Sequence, residues 1–298
     1  MDLRTAPLAP PAASLAASST GAPAASLAAA PDDSLEYDGS YSGWLCTMAE
    51  LLNLRFHAGL PEERLPGVCR PGQQTDLFGS RVPVDNDPDR AERCYQRLLA
   101  RLGSDCLERL QQAWASDLGA ANGLSLDSAL ARVLRLAWAE GATALQRLDA
   151  PAVIVVQKAI TRSCRELNLF KGISRFAELV DGSLYADIQP ACDVIGWLAE
   201  HFAARFPGQR WILHDSGRGR ACLHQPGQAL AFLEGFSVNP QDLRHSAGEL
   251  VIQELWRQYF DTITIAERAN PRCQRSFLPL KHRYNLPEFN AVKGGQAD

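Results

Sequence analysis

The sequence predicts an α+β protein, with a helical N-terminal half packed on a small mixed or antiparallel sheet that has flanking helices in the C-terminal half. Three observations carry this expectation. Before residue 175, apolar residues recur at helical spacing in successive segments. After it, short β-rich runs at 184–188, 210–214 and 220–224 are bounded by Asp-Gly, Pro and Gly-rich turns. A chain of 298 residues that is 46% hydrophobic is also large enough to bury a substantial core.

Taken in order, residues 1–33 are almost entirely Ala, Pro, Ser and Leu, with prolines at 7, 10, 11 and 23 breaking any apolar run. We expect a disordered tail rather than a signal peptide, because such a segment buries too little surface to offset its ordering entropy. A single α+β domain is expected over 34–290, helical to 175 and mixed from 176, followed by a flexible end at 291–298. Glu36 and Tyr37 read as a short strand and Asp38-Gly39-Ser40 as a turn. Trp44, Leu45, Met48, Leu51 and Leu52 then form the stripe of a helix. Residues 59–89 are rich in Pro, Gly, Asp and Arg without a period, which reads as a long excursion. Helices follow over 91–114, broken at Gly103-Ser104, and over 126–148, capped by Ser125.

Pro151 opens a basic helix. Val156, Ile160, Cys164 and Leu167 form its apolar stripe, while Lys158, Arg162 and Arg165 lie on the opposite face. Ile154 and Val155 fall outside the stripe and predict a second covering element. Gly172 is the expected stop, with Lys171 and Arg175 extending the positive charge. A helix marked by Val194, Ile195, Leu198, Phe202 and Phe206 stops at Pro207-Gly208. The strands at 210–214 and 220–224 form a hairpin, and a further short strand is expected within 232–240. A helix over 248–260 is expected to turn Val251, Ile252, Leu255, Trp256 and Tyr259 inward. Prolines keep 269–287 from being one helix, so an ordered surface arm is expected there.

The net charge of −4 argues against a generally basic nucleic-acid binder. The charge is uneven, however. Residues 153–176 hold five cations against Glu166, and residues 257–286 hold six against Asp261 and Glu267. Each segment is +4, so the rest of the chain carries −12. This is the pattern of a local anion site, and also of two solvated helix faces. The eight cysteines include no CxxC pair and complete no ligand set with the six histidines by spacing. Buried thiols are expected, with no metal and no cofactor. No apolar segment approaches the length of a membrane span, and a cytoplasmic location with no membrane partner is expected.

No dinucleotide, P-loop, zincin or nucleophile-elbow motif is present. Residues 215–220 form the most suggestive loop. Small residues there let backbone approach a phosphate, and Arg218 and Arg220 flank it, although an ordinary hairpin turn has the same composition. His214 and Asp215 are weak candidates for a general base and its partner, because neighbours on a strand point to opposite faces. Tyr37 and Trp44 could stack on bases, but aromatics at such positions are more often core.

The chain from 35 to 289 resembles a domain family of unknown function assigned to DNA repair or DNA metabolism. Its members are encoded beside a radical-SAM protein and in relatives are fused to uracil-DNA-glycosylase-like domains. The resemblance rests on Tyr37-Asp38-Gly39-Ser40 with Gly43, on Arg165-Glu166 with Lys171, Arg175 and Phe176, and on Asp181-Gly182 with Leu184-Tyr185-Ala186. It continues through Ile188 with Pro190, Arg205-Phe206-Pro207 and Trp211 to Asp215, then Leu255-Trp256, Tyr259-Phe260, Glu267-Arg268 and Asn270-Pro271. Asn168, Leu169 and Phe170 depart from its usual His-Arg-Met.

The resemblance implies a DNA-related role beside a radical enzyme, with DNA, a radical-SAM protein and a uracil-DNA-glycosylase-like protein as partners. The chain lacks a cysteine triplet for a radical-SAM cluster, so that chemistry falls to the partner. The leading expectation is therefore a DNA-binding accessory protein. An enzyme acting on damaged DNA and a protein–protein adaptor are the alternatives. The expected DNA contacts are Lys158, Arg162, Arg165, Lys171, Arg175, Arg218, Arg220, Arg268, Arg272, Arg275, Lys281 and Arg283.

Overall fold

A computed structural model describes residues 33–73, 79–119, 124–268 and 270–289. The tail expected at 1–33, apart from Asp33, and the flexible end expected at 291–298 lie outside them. The fold is α+β. The chain divides into two compact units, Met1–Cys164 and Arg165–Asp298, and the division falls inside one long helix.

In the first unit, β1 (Ser34–Glu36) leads into α1 (Tyr41–Phe56). Ser40 starts the helix by accepting the Gly43 N–H at 3.0 Å, and Asp38 accepts the Ser40 N–H and O–H at 2.9 and 2.6 Å. A Cβ at position 43 would collide with Asp38 Oδ1 and displace the carboxylate that holds Ser40. The opening motif is thus a helix start. β2 (Gly67–Cys69) and β3 (Arg81–Pro83) flank β1 in a parallel sheet, with Leu35 opposite both Val68 and Val82. This corrects the reading of 59–89 as an excursion. Strands of three residues are too short to display an alternation.

α2 (Pro88–Leu102) and α3 (Ser104–Trp114) are separated at Gly103, whose φ of +81° suits a residue without Cβ. α4 (Leu126–Glu140) is capped by Ser125, which accepts the Ser128 N–H at 3.2 Å. It stops at Gly141, earlier than expected, and a short 3₁₀ turn follows (Ala142–Gln146). α5 (Pro151–Ile173) runs through Gly172, which is not its stop. Val153, Val155, Val156, Ala159 and Ile160 of α5 join Trp44, Met48, Leu98, Leu110, Leu130 and Leu134 in one core. Val155 is indeed covered. Tyr37 and Trp44 are fully buried in that core and are not stacking platforms.

The buried polar centre of this unit is Asp127. It accepts the Tyr37 O–H at 2.7 Å, Arg70 Nε at 3.1 Å and Gln73 Nε2 at 3.0 Å. Burial, reinforced by the Asp127 charge, pushes the Tyr37 phenol well above its usual range, which keeps it a donor.

In the second unit, Leu167 and Phe170 of α5 pack with α6 (Ile195–Arg205) against one face of a five-stranded sheet. The strands are β4 (Ala177–Glu178), β5 (Leu184–Ile188), β6 (Trp211–Asp215), β7 (Arg220–His224) and β8 (Ala231–Glu234), in spatial order β4-β5-β6-β7-β8. Only β5 and β6 are parallel, as expected for the pair that α6 connects. Ala186, Ile188, Trp211, Leu213 and Cys222 join the core.

α7 (Ala247–Ile263) follows, capped by Ser246, which accepts the Glu249 N–H at 3.0 Å. α8 (Pro271–Phe277) and two 3₁₀ turns (Leu280–His282 and Pro287–Phe289) form the expected arm. The arm is held by Asn285 Nδ2, which donates to the Asp187 carbonyl at 2.7 Å, and by buried Leu286 and His282. The inward orientation expected for α7 is not observed. Val251, Ile252, Leu255 and Tyr259 are 59, 61, 57 and 55% exposed, and Trp256 is 39% exposed. Periodicity reveals that a helix has an apolar face but not that this chain covers it.

Two expectations follow. Replacing Asp127 with Ala removes the acceptor for three donors, and we expect a loss of about 2–4 kcal/mol in urea unfolding. A change below about 1 kcal/mol would mean that the network contributes little. His282 packs edge-on against Phe170, with ring centroids 5.0 Å apart. Burial lowers its pKa, Lys281 adds to the effect and Glu166 opposes it. The folded ring therefore takes a proton less readily than the unfolded one. Its contribution to stability is complete above the unfolded value of 6.5 and is lost as pH falls below it. The drop in thermal midpoint between pH 7.5 and 5.5 should be smaller in His282→Gln than in the natural chain. Equal drops would assign the effect to other groups.

Candidate functional site

On a strand, side chains alternate between faces. Tyr185 and Asp187 therefore leave β5 on the face opposite the core, as His214 does from β6, and Asp187 lies beside His214 in the parallel register. The result is a sheet that is apolar on its α6 side and polar on the other. α7 and the arm stand over the polar face without filling the space. A cavity of about 760 Å³ remains, lined by Tyr185, Asp187, His214 and Ser216 below and by Trp256 and Tyr284 above. It opens beside the carboxyl ends of β5 and β6, the usual location for ligands in parallel sheets.

His214 is held at both ring nitrogens, with Tyr185 Oη 2.7 Å from Nδ1 and the Phe236 carbonyl 3.3 Å from Nε2. A carbonyl only accepts, so Nε2 carries a proton, and a neutral ring takes the Tyr185 O–H on Nδ1. Burial, with Asp187 nearby, pushes the Tyr185 phenol above its usual range and keeps that proton in place. Gln189 Nε2 donates to Ser216 Oγ at 3.0 Å, linking the two strand ends. The Trp256 indole N–H donates to Glu288 at 3.1 Å, and Arg175 lies 5.8 Å from that ring. Asp187 is the exception. Its Oδ1 is enclosed and has no hydrogen-bond partner.

His214 and Asp215 do not act together. Asp215 is fully buried on the core side, where it accepts Arg218 Nη1 at 3.0 Å. Burial pushes its carboxyl up and Arg218 opposes that. The loop at 215–220, expected to receive an anion, is a clamp in the structure. Arg218 donates to the carbonyls of Pro190 and Ala191 as well as to Asp215. Arg220 pairs with Asp193 at 2.6 Å and Glu234 at 2.7 Å. Both guanidinium groups are engaged within their own unit.

The other expected cations separate into two groups. Arg162 pairs with Asp117, Arg175 lies 3.6 Å from Glu288, and Arg283 donates to the Leu278 carbonyl over the Phe289 ring. Lys158, Arg165, Lys171, Arg268, Arg272, Arg275 and Lys281 have no carboxylate partner among the described residues. Three of these seven lie on the arm, and Arg268 immediately precedes it. Among the described residues, no cluster of three or more His, Cys, Asp or Glu side chains is placed to hold a metal ion, and no helix is long and apolar enough to cross a membrane.

Sequence reasoning missed Tyr185, Asp187, Ser216, Trp256, Tyr284 and Asn285 as site residues. A usable signal was present for the first three: Tyr185-x-Asp187 and His214-x-Ser216 place polar groups two apart on strands that are otherwise apolar. Nothing local marks Tyr284 or Asn285, which arrive from the arm.

Comparison with known proteins matches residues 125–288 to a family described as a domain of unknown function, DUF4130. No curated protein and no solved structure matches the chain. The match covers more than half of the sequence and every residue that lines the cavity, while the Tyr37–Gly43 helix start precedes it. The chain belongs to the DUF4130 family.

Proposed function

We propose that this protein binds DNA as an accessory factor of DNA repair or DNA metabolism and holds it for a radical-SAM partner enzyme. One observation carries the reading. Arg272, Arg275 and Lys281 on the arm, and Arg268 just before it, have no carboxylate partner among the described residues of a chain whose net charge is −4. Cations left unpaired in an acidic protein are available to an anion, and a phosphate backbone takes several at once. The cavity supports an accessory role rather than covalent catalysis. Both nitrogens of its histidine are engaged, so His214 is not a free base for Ser216. Positioning alone can contribute several kcal/mol to a partner's reaction.

Fluorescence anisotropy across a salt series tests the binding. Log affinity should fall with log salt by about 0.9 per neutralised phosphate on duplex DNA and about 0.7 on a single strand. Replacing Arg268, Arg272, Arg275 and Lys281 with Ala should flatten the slope by up to ~3.6 on duplex DNA, with the circular dichroism unchanged. An unaltered slope would show these cations to be a solvated face only. Mass spectrometry of lesion-bearing oligonucleotides incubated with the isolated protein tests the accessory role. We expect unchanged strands. Base loss or scission that disappears in Asp187→Asn would make the protein an enzyme in its own right.

A further inference from the structure

We propose that the apolar face of α7 is covered by a second copy of this chain, the two α7 helices crossing antiparallel about a two-fold axis at Leu255. The contact requires no DNA, so its test is separate from that of the DNA-binding reading.

α7 is amphipathic, but it lies with its polar side toward its own unit. None of its 17 residues is buried. Ser246 Oγ donates to Glu178 Oε2 at 2.8 Å, and the Glu178 N–H donates to Glu249 at 3.1 Å. Arg257 Nε donates to the Pro287 carbonyl at 3.2 Å, and Gln253 donates to Glu249 at 2.7 Å. Glu249, Gln253 and Arg257 are spaced four apart and share one side of the helix. The same spacing places Ala247, Val251, Leu255, Tyr259 and Ile263 in a second row, and all five are exposed. Rolling the helix to bury that row would break the bonds that anchor its polar side, each costly to leave unmade. Its cover must come from outside. Contiguous apolar exposure of this kind marks an interaction surface.

Size and charge select the occupant. Turned end for end about Leu255, the row sets Ala247 opposite Ile263, Val251 opposite Tyr259, and Leu255 opposite itself. Each pairing away from the axis joins a small side chain to a larger one, as interdigitating rows require. A parallel pairing would instead stack Tyr259 on Tyr259 and leave a gap at Ala247. The antiparallel arrangement also places the helix dipoles head to tail. The row holds no charged residue, so no like charges meet at the axis. A membrane is a poor match. α7 carries Glu249, Glu254 and Asp261 against Arg257 alone, whereas helices that lie on lipid are rich in Lys and Arg. One helix pair buries less than the roughly 800 Å² per partner of a standard interface, so the association is weak and reversible.

The test is sedimentation velocity of the full chain over the micromolar range, where the mass should rise from one chain toward two. Leu255→Glu puts two carboxylates at the axis and should hold the mass at one chain, with the circular dichroism unchanged. Val251→Tyr sets Tyr against Tyr and should weaken the dimer at least tenfold. Adding Tyr259→Val restores the match of sizes and should recover the natural affinity. Cys273 is exposed, so cross-linking is read in a Cys273→Ser background. There Leu255→Cys should give a disulfide-linked dimer on mild oxidation. Thr262→Cys should not, because its two copies would stand about 21 Å apart along the helices. A chain that stays monomeric, a dimer that survives Leu255→Glu, or a double variant no tighter than Val251→Tyr overturns the proposal. Binding of the chain to vesicles of phosphatidylcholine and phosphatidylserine in place of self-association assigns the face to a membrane and overturns it as well.

Discussion

The second unit depends on how the backbone at residues 190–192 is held. Glu166 accepts the N–H groups of Ala191 and Cys192 at 2.7 and 2.6 Å, a bidentate grip of carboxylate on backbone. From the other side, Arg218 donates to the carbonyls of Pro190 and Ala191 while Asp215 holds its guanidinium. Charge-assisted hydrogen bonds are among the strongest of their type, and each carboxylate here takes more than one. The segment between β5 and α6 thereby has its donors and acceptors satisfied by α5 and by the β6–β7 turn. With that segment fixed, the carboxyl ends of β5 and β6 are fixed together, and the cavity has a floor.

This clamp also explains two sequence features that invite a functional reading. Arg165-Glu166 lies on a basic helix, yet Glu166 turns to backbone amides while Arg165 has no carboxylate partner among the described residues. The Gly-rich turn with two arginines has the composition of a phosphate cradle, but its arginines point back to carbonyls and carboxylates of its own unit. Composition alone cannot separate the two cases. The deciding quantity is whether a buried acceptor lies within reach, and here Asp215 supplies one.

Much of the fold was legible. Caps at Ser40 and Ser125, the break at Gly103 and the β6–β7 hairpin follow from local chemistry that a sequence displays directly. The three-stranded parallel sheet was not legible, since its partners are short and lie far apart in sequence. The candidate site was half legible. His214 was noticed for its neighbour Asp215, whereas its working partner is Tyr185 on the adjacent strand, 29 residues away. Tyr284 and Asn285 were invisible because a proline-broken arm has no period from which to infer where it docks. Expected cations were easier to name than to sort. Among the described residues seven of them have no carboxylate, carbonyl or ring partner named above, and only tertiary structure distinguishes those from the five that pair with carboxylates or fold onto carbonyl and ring.

α7 connects the cavity to the outer surface of this unit. Trp256 and Ile252 line the cavity, while Val251, Leu255 and Tyr259, one turn apart along the same helix, are more than half exposed. Exposed apolar residues so close together are unusual on a soluble surface, whereas scattered ones are not. The helix is held at its start by Ser246 and Glu249, which bond to the Glu178 side chain and backbone N–H. It is held further along by Arg257 on the Pro287 carbonyl. One helix therefore carries both a wall of the cavity and an apolar face open to solvent.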